Sequence, residues 1–156
     1  MSTKTYSLDF VGYWREPNIG GLPAKSGIYC VYACTHNVQE DMVSLKKLIY
    51  IGEAADIRDR VKNHERWSDW RRELGLGQKL CFNAALIEPQ SDWKRAEAAM
   101  IFKHKPPCNV EYVDSFPFDE TTVRTSGKNA LLHREFTVYR TGTGAVMGLG
   151  LAGRRW

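Results

Sequence analysis

The chain has 156 residues, of which 43% are hydrophobic and 26% are charged, a balance that excludes a disordered protein and favours a single soluble globular domain. Its formal charge of +4 is unevenly spread, because residues 58–72 and 123–156 are rich in Lys and Arg whereas residues 111–120 are acidic. Two basic segments predict a positive surface for a polyanion such as nucleic acid, although solvated helix faces explain such runs about as well.

The cysteines and the hydropathy of the chain indicate its compartment. No two cysteines have CxxC or zinc-site spacing, and the start of the sequence has no signal-peptide pattern. No apolar run approaches the roughly 18 residues that a membrane-spanning helix needs. We therefore expect a soluble, cytoplasmic protein with reduced thiols and no membrane anchor.

The N-terminal part of the chain predicts two strands. Alternating side chains over residues 6–10 indicate the first, and Pro and Gly predict a loop over residues 14–21. The second strand begins at Gly27, and its alternation directs Tyr29 and Val31 to one face. Another strand follows around Tyr50-Ile51-Gly52. The polar residues between these strands, 35–47, predict a long hairpin loop that could contact a substrate.

A charged helix is predicted directly after these strands. Asp56 is a residue type that caps helix N-termini, and the helix is expected to run to about Glu65. Arg60 and His64 are four residues apart, so on a helix their side chains lie on one face. A second helical stretch, 67–76, ends at a pair of glycines.

The next two predicted elements are a strand over residues 79–88 and a longer helix over residues 92–104, capped by Ser91 and ended by two prolines. Glu97 lies beside the apolar stripe of this helix. A buried carboxylate without a partner is costly, so Glu97 requires a hydrogen-bonding group or a cation. A divalent metal ion is one such partner.

Beyond residue 110 the sequence is less informative. It is acidic and aromatic over residues 112–118 and strand-like over residues 136–139. The glycine-rich stretch 142–148 has the spacing of a dinucleotide-binding turn, but too few residues follow it for the helix and strand of such a site. We expect a basic C-terminal arm instead.

Five ordered features resemble the GIY-YIG nuclease family over about residues 26–110. They are Gly27-Ile28-Tyr29, Tyr50-Ile51-Gly52, Arg60, Glu97 and Asn109. The resemblance implies an α/β fold with a small central antiparallel β-sheet flanked by helices. We expect the N-terminal extension, 1–25, and the basic C-terminal extension, 111–156, to belong to the same domain and to add one or two strands to the sheet. The separation of Tyr29 from Tyr50 is longer than usual for the family, which leaves the branch of the family open.

The resemblance also implies a metal-dependent endonuclease that hydrolyses phosphodiester bonds in DNA. Glu97 would hold one divalent cation, Mg²⁺ or Mn²⁺, and Arg60 would bind the phosphate and stabilise the transition state. Either Tyr29 or His64 would activate water. The pKa of a phenol is near 10 unless cations such as Arg60 lower it, whereas histidine titrates near neutrality.

Two further positions complete the predicted site. Tyr50 would orient the water or the phosphate, and Asn109 would fix the loop by hydrogen bonds. Each site residue alone has an ordinary explanation, as a core tyrosine, a surface arginine or a helix-face histidine, but their joint order favours function.

The alternative hypotheses are a non-catalytic nucleic-acid-binding module and a ribonuclease or toxin-like nuclease. The short length argues against the excision-repair nuclease subunit of the family, which is far longer, and favours a small stand-alone or restriction-type enzyme. A restriction-type enzyme would act as a homodimer, because cutting both strands normally requires two active sites.

Overall fold

The computed structural model describes residues 3–88 and 93–142. The strands of this part are β1 (Lys4–Arg15), β2 (Gly27–Asn37), β3 (Met42–Ala54), β4 (Lys79–Leu86), β5 (Thr121–Gly127) and β6 (Glu135–Val138). The helices are α1 (Ile57–Lys62), α2 (Trp67–Arg72) and α3 (Trp93–His104), with a short 3-10 helix at Glu16–Gly21. The predicted cap Ser91 and the arm beyond residue 142 lie outside the described residues. None of the described helices is long and apolar enough to cross a membrane.

The strands form one sheet in the order β3-β2-β4-β1-β5-β6. Neighbouring strands are antiparallel except for β1 and β5, which are parallel. The α/β class agrees with the prediction. The extensions join the sheet as expected, but they add three strands and not one or two: β1 lies between β4 and β5, and β6 forms the far edge. The parallel pairing of β1 with β5 makes the sheet mixed and not antiparallel throughout.

Helices cover both faces of this sheet, as predicted. Alternation along β2 sends successive side chains to opposite faces. Ile28 and Cys30 pack with α3 on one face, whereas Tyr29 and Val31 pack with α1 and α2 on the other. These side chains are at most 1% exposed, so each face has its own apolar core.

The long hairpin loop predicted for residues 35–47 is wrong. β2 and β3 continue through this stretch, and only residues 38–41 make the turn between them. Half-buried Val43 and Leu45 alternate with exposed Ser44, which is the period of a strand. The polar composition reflects the exposure of this hairpin and not an irregular backbone.

Residues 14–21 are not an irregular loop either, because they finish β1 and form the 3-10 helix. The predicted N-cap of α1 is confirmed, since the backbone N–H of Asp59 donates to Asp56 Oδ1 at 3.0 Å. The two first helices are shorter than predicted. α1 ends at Lys62, three residues before the expected end.

The segment after α3 covers the outer edge of β3. The backbone N–H of Cys108 donates to the carbonyl of Ile49 at 3.0 Å. The side-chain amide of Asn109 pairs with the backbone of Ile51, accepting from its N–H at 3.0 Å and donating to its carbonyl at 2.9 Å. Cys108 belongs to the core under α1 and α2, whereas α3 packs on the opposite face. The segment therefore passes around the edge of the sheet and links its two faces.

Candidate active site

β2 and β3 place two tyrosines on the same face of the sheet. Tyr29 lies opposite Gly52, and Val31 lies opposite Tyr50. A shift of register just beyond this second pair marks a β-bulge, and Ile49 and Tyr50 both pack on the face of Tyr29. The two tyrosine rings consequently have their centroids 6.3 Å apart.

Gly52 makes room for the ring of Tyr29. A Cβ atom at position 52 would lie 2.4 Å from both Cζ and Oη of Tyr29, which is closer than any real contact. The glycine of the second tripeptide is thus required by the tyrosine of the first. In this chain, the close approach of Tyr29 to the backbone at Gly52 links the two motifs physically.

The segment from α1 to α2 adds two more rings. The ring centroid of His64 lies 5.3 Å from that of Tyr50 and 6.4 Å from that of Tyr29. Fully buried Trp70 packs against both Tyr50 and His64, at 5.5 Å and 4.6 Å between centroids. Because α1 ends early, His64 is held by a turn and by these rings and not by the helix.

His64 is neutral, and its acceptor nitrogen is already used. The backbone N–H of Arg66 donates to Nδ1 at 3.0 Å, so we assign the ring proton to Nε2. Nε2 is buried and has no hydrogen-bond partner among the described residues. Burial, reinforced by nearby Arg60, lowers the pKa of His64 to about 4. The lone pair that a general base requires is therefore occupied in this arrangement.

The phenol of Tyr29 is 1% exposed, and its burial raises its pKa well above the usual value. Tyr50, Glu97 and Glu53 act in the same direction, and Arg60 acts against them. Arg60 therefore lowers the pKa of Tyr29 as expected, but the net shift is upward because burial is the largest cause.

Arg60 forms a two-pronged ion pair with Glu65. Its Nη1 lies 2.9 Å from Oε1 and its Nη2 lies 3.2 Å from Oε2. This hydrogen bonding lowers the pKa of Glu65 to about 2. A carboxylate and a phosphate present the same pair of acceptors to a guanidinium, so Glu65 occupies the edge of Arg60 that a phosphate would use.

α3 directs Glu97 into a small cavity of about 120 Å³ beside the edge of β3. Tyr50 and Arg66 line the cavity from the side of the sheet that α1 and α2 cover, and Asn109 and Glu111 line it from the segment after α3. Glu97 thereby shares a cavity with Tyr50 although α3 packs on the opposite face of the sheet.

The cavity is electrostatically negative around Glu97. Burial raises the pKa of Glu97 to about 8, and the carboxylates of Glu53 and Glu111 contribute in the same direction. Lys94 opposes them, and its Nζ lies 3.7 Å from Glu53 Oε1. Protonation or an added cation would relieve this unfavourable charge.

The oxygen donors at this point fit a hard divalent cation such as Mg²⁺ or Mn²⁺. Glu97 is the carboxylate that would hold it, with Glu53 and Glu111 nearby. Within residues 3–88 and 93–142, no group of three or more His, Cys, Asp or Glu side chains is arranged to hold a metal. A cation here would have few protein ligands and would keep several waters.

The structure thus brings all the predicted site residues to one edge of the sheet. These are Tyr29, Tyr50, Arg60, His64, Glu97 and Asn109. Sequence reasoning missed four of their neighbours, Glu53, Arg66, Trp70 and Glu111. Of these four, only Glu53 could have been found from the sequence, because it directly follows Tyr50-Ile51-Gly52 on the same strand.

Comparison with known proteins gives one partial similarity. Over 105 residues, or 66% of its length, the chain is 26% identical to UvrABC system protein C of Haloarcula marismortui. The match spans 17% of that protein's length, so the similarity concerns a small part of it. The similarity is compatible with the GIY-YIG resemblance. Because it concerns only a small part of the longer protein, the short length of the chain is no argument against a relation to that part. No family model and no solved structure matches the chain.

Proposed function

We propose that the chain is a metal-dependent endonuclease that hydrolyses phosphodiester bonds in DNA. The observation that carries this proposal is that Tyr50 and Glu97 line one cavity, with the rings of Tyr29 and His64 next to Tyr50 and the charge of Arg60 close to both tyrosines. Phosphodiester hydrolysis needs a positioned water and groups that neutralise charge on the phosphate, which this set of side chains can provide. The partial similarity to UvrABC system protein C is a second support.

Glu97 and Arg60 would act on the phosphate. Glu97 would hold one Mg²⁺ or Mn²⁺ ion, which when bound would supply positive charge against the negative charge that develops on the phosphoryl oxygens. Arg60 would offer its two terminal nitrogens to the phosphate, after Glu65 has moved away from them.

We assign the activation of water to Tyr29 in preference to His64. His64 has no free lone pair, because the N–H of Arg66 occupies Nδ1 and the proton is on Nε2. Tyr50, which lines the cavity, would orient the water or the phosphate. Asn109 would keep the cavity wall in place through its two hydrogen bonds to Ile51.

Cleavage of a supercoiled plasmid and of a long linear DNA tests this function directly. The reaction is run with magnesium, with manganese and with a chelator, for the wild type, Glu97→Gln and the control Glu135→Gln. Glu135 is an exposed carboxylate on β6, the edge strand opposite β3, so its substitution removes a carboxylate far from the cavity. We expect the wild type and the control to cut only with metal.

We expect Glu97→Gln to lose at least about a hundredfold in rate while it still binds DNA in chelator, because the change removes a cation site and preserves the shape of the side chain. Cleavage by Glu97→Gln at the wild-type rate would refute the metal assignment. Discrete fragments would indicate a restriction-type enzyme, which would be a homodimer, and a smear or nick would indicate weak sequence preference.

A second candidate function is a nucleic-acid-binding module without cleavage. The Arg60–Glu65 ion pair favours this alternative, because Glu65 occupies the guanidinium of Arg60 and keeps a phosphate from binding there in the present arrangement. DNA binding that persists in chelator, with no product in either metal, would establish this alternative for DNA. The same assay with RNA distinguishes a ribonuclease.

A further inference from the structure

A second cavity, larger than the one beside Glu97, lies apart from that residue. It is a groove of about 760 Å³, which is within the size range of ligand sites, about 300–1,000 Å³. The 3-10 helix, α1, α2 and the start of β4 form its walls, together with His36 and Val38 from the far end of the β2–β3 hairpin. None of the predicted site residues lines this groove.

The groove carries a surplus of positive charge. Four cationic side chains line it, Arg15, Lys62, Arg71 and Lys79, against the single carboxylate of Glu16. Glu16 pairs with Arg71, at 2.6 Å between Oε2 and Nη2. Arg15, Lys62 and Lys79 have no ion pair within the described residues, and both lysines are exposed. Such a concave cationic surface attracts a polyanion.

The rest of the groove is apolar. The indole of Trp67 forms part of its wall, and the guanidinium of Arg71 lies 5.1 Å from the centre of that ring. Val38 borders the groove from the hairpin turn with 79% of its surface exposed. Cations beside aromatic and aliphatic surface suit a nucleic-acid strand, because the cations can bind its phosphates and the apolar side chains can pack against its bases. A simple phosphate ion would leave the apolar wall uncovered.

The groove and the candidate active site share the same two helices. On α1, Lys62 lines the groove two residues after Arg60. On α2, Trp67 packs against Trp70 at 5.2 Å between centroids, and Trp70 packs against Tyr50. Residues two apart on a helix point to nearly opposite sides, so a strand with a phosphate at Arg60 would pass over α1 to reach Lys62 and the groove.

We propose that this groove binds the stretch of DNA that flanks the scissile phosphate. Lys62, Lys79 and Arg15 contact its backbone phosphates, and Trp67 and Val38 contact a base. The far end of the hairpin supplies one wall, so the extra length between the two tripeptides serves substrate binding. This inference depends on the proposed nuclease function in one respect only, because that function identifies the bound nucleic acid as substrate DNA.

Binding of fluorescein-labelled duplex and single-stranded DNA to the full chain in chelator tests the groove, with fluorescence anisotropy as the readout at several salt concentrations. Lys62→Ala/Lys79→Ala is compared with Lys25→Ala/Lys103→Ala. The second pair consists of exposed lysines outside the groove, so both double variants lose the same charge. We expect the groove variant to bind about tenfold more weakly and its salt slope to fall by about two, since each phosphate contact contributes about one. The control is expected to change affinity by less than about twofold.

Equal weakening in both double variants, or none in the groove variant, would overturn the proposal. Melting curves establish that each variant is folded, and Lys62→Glu, at an exposed helix position, provides an independent variant with a larger expected loss. Wild-type plasmid cleavage separates the two proposals. Metal-dependent cutting without groove-dependent binding would refute the groove proposal alone. Groove-dependent binding without cutting would refute the nuclease proposal alone.

Discussion

Glu65 and Arg60 form an ion pair that a substrate phosphate would have to break. Glu65 is on the solvent side, with 65% of its side chain exposed, and it accepts from both terminal nitrogens of the guanidinium. We predict that Glu65→Gln tightens DNA binding roughly two- to fivefold, because an exposed ion pair of this kind is weak but competes directly with the phosphate. Anisotropy titrations in chelator measure the change.

The control for this prediction is Glu135→Gln. Glu135 forms a similarly exposed ion pair with Arg124 at 3.1 Å, on the opposite edge of the sheet. Both substitutions raise the net charge equally, so a general electrostatic effect would appear in both. Weaker binding by Glu65→Gln would mean that Glu65 orients Arg60 for the phosphate and does not compete with it.

Tyr29 and His64 can be separated by the pH dependence of cleavage. The pKa of Tyr29 is raised and that of His64 is lowered to about 4, so only Tyr29 can lose a proton progressively above neutral pH. We predict that the wild-type rate rises from neutral to alkaline pH, and that Tyr29→Phe is slow and flat. His64→Gln should retain the rise. The rates are measured at saturating magnesium, since Glu97 has a pKa of about 8 and would otherwise titrate in the same range.

The opposite result would reassign the base. A histidine with a pKa of about 4 is already deprotonated at neutral pH, so a reaction that depended on it would show little change in rate above neutrality. A wild-type rate that stays constant above neutral pH, together with a His64→Gln rate that is lower at every pH, would therefore favour His64 as the base.

At the scale of elements, the segment after α3 is attached to β3 by the amide of Asn109. Its two hydrogen bonds to Ile51 imitate the pairing of a neighbouring strand. We predict that Asn109→Ala lowers the free energy of unfolding by about 1–3 kcal/mol, because it leaves the N–H and the carbonyl of a part-buried strand without partners. Urea unfolding measures the loss.

Asn109→Asp serves as the matched variant for this contact. It keeps the acceptor for the N–H of Ile51 and replaces the donor with an oxygen that faces the carbonyl. We expect it to be no more stable than Asn109→Ala. Wild-type stability in both variants would show that the segment is held by other contacts, such as that of Cys108 with Ile49.

Local patterns predicted those elements whose signals lie close together in sequence. The alternation of β2 and the cap at Asp56 are of this kind. The parallel pairing of β1 with β5 was not predictable, because it joins Lys4 to Thr121 and depends on the whole sheet. The hairpin was missed because its exposed strands are polar.

The electrostatics of the site depend on the fold even where its residues are recognisable. The raised pKa of Glu97 requires Glu53 from β3 and Glu111 from the segment after α3, which are far apart in sequence. The protonation state of His64 depends on a turn that places the N–H of Arg66 against Nδ1. If α1 continued through residue 65, as predicted, the N–H of Arg66 would not lie against Nδ1 of His64.

At the scale of the whole molecule, two histidines limit stability in acid. Burial lowers the pKa of His64 and of His104 to about 4, from 6.5 for a free side chain. The unfolded chain therefore binds more protons than the folded one between these pH values, so stability is lost as the pH falls through this window. We predict that His64→Phe reduces this loss by on the order of 1–3 kcal/mol, since Phe fits the ring cluster and cannot be protonated.

Urea unfolding near neutral pH and near pH 4.5 measures this effect. The quantity compared is the difference in unfolding free energy between the two pH values, so any effect of the substitution on packing cancels. Identical differences in the wild type and in His64→Phe would show that His64 is protonated in the folded protein without penalty.

The position of β1 in the middle of the sheet has a consequence for the order in which the protein is made. β1 is synthesised first, but its two partners are β4 and β5, which follow much later in the chain. β2, β3 and β4 can pair as soon as Leu86 has left the ribosome, whereas one edge of β1 stays open until Thr121–Gly127 has emerged. A nascent chain that stalls between these points exposes the unpaired edge of β1 over Lys4–Phe10, and unpaired strand edges are surfaces from which aggregation starts.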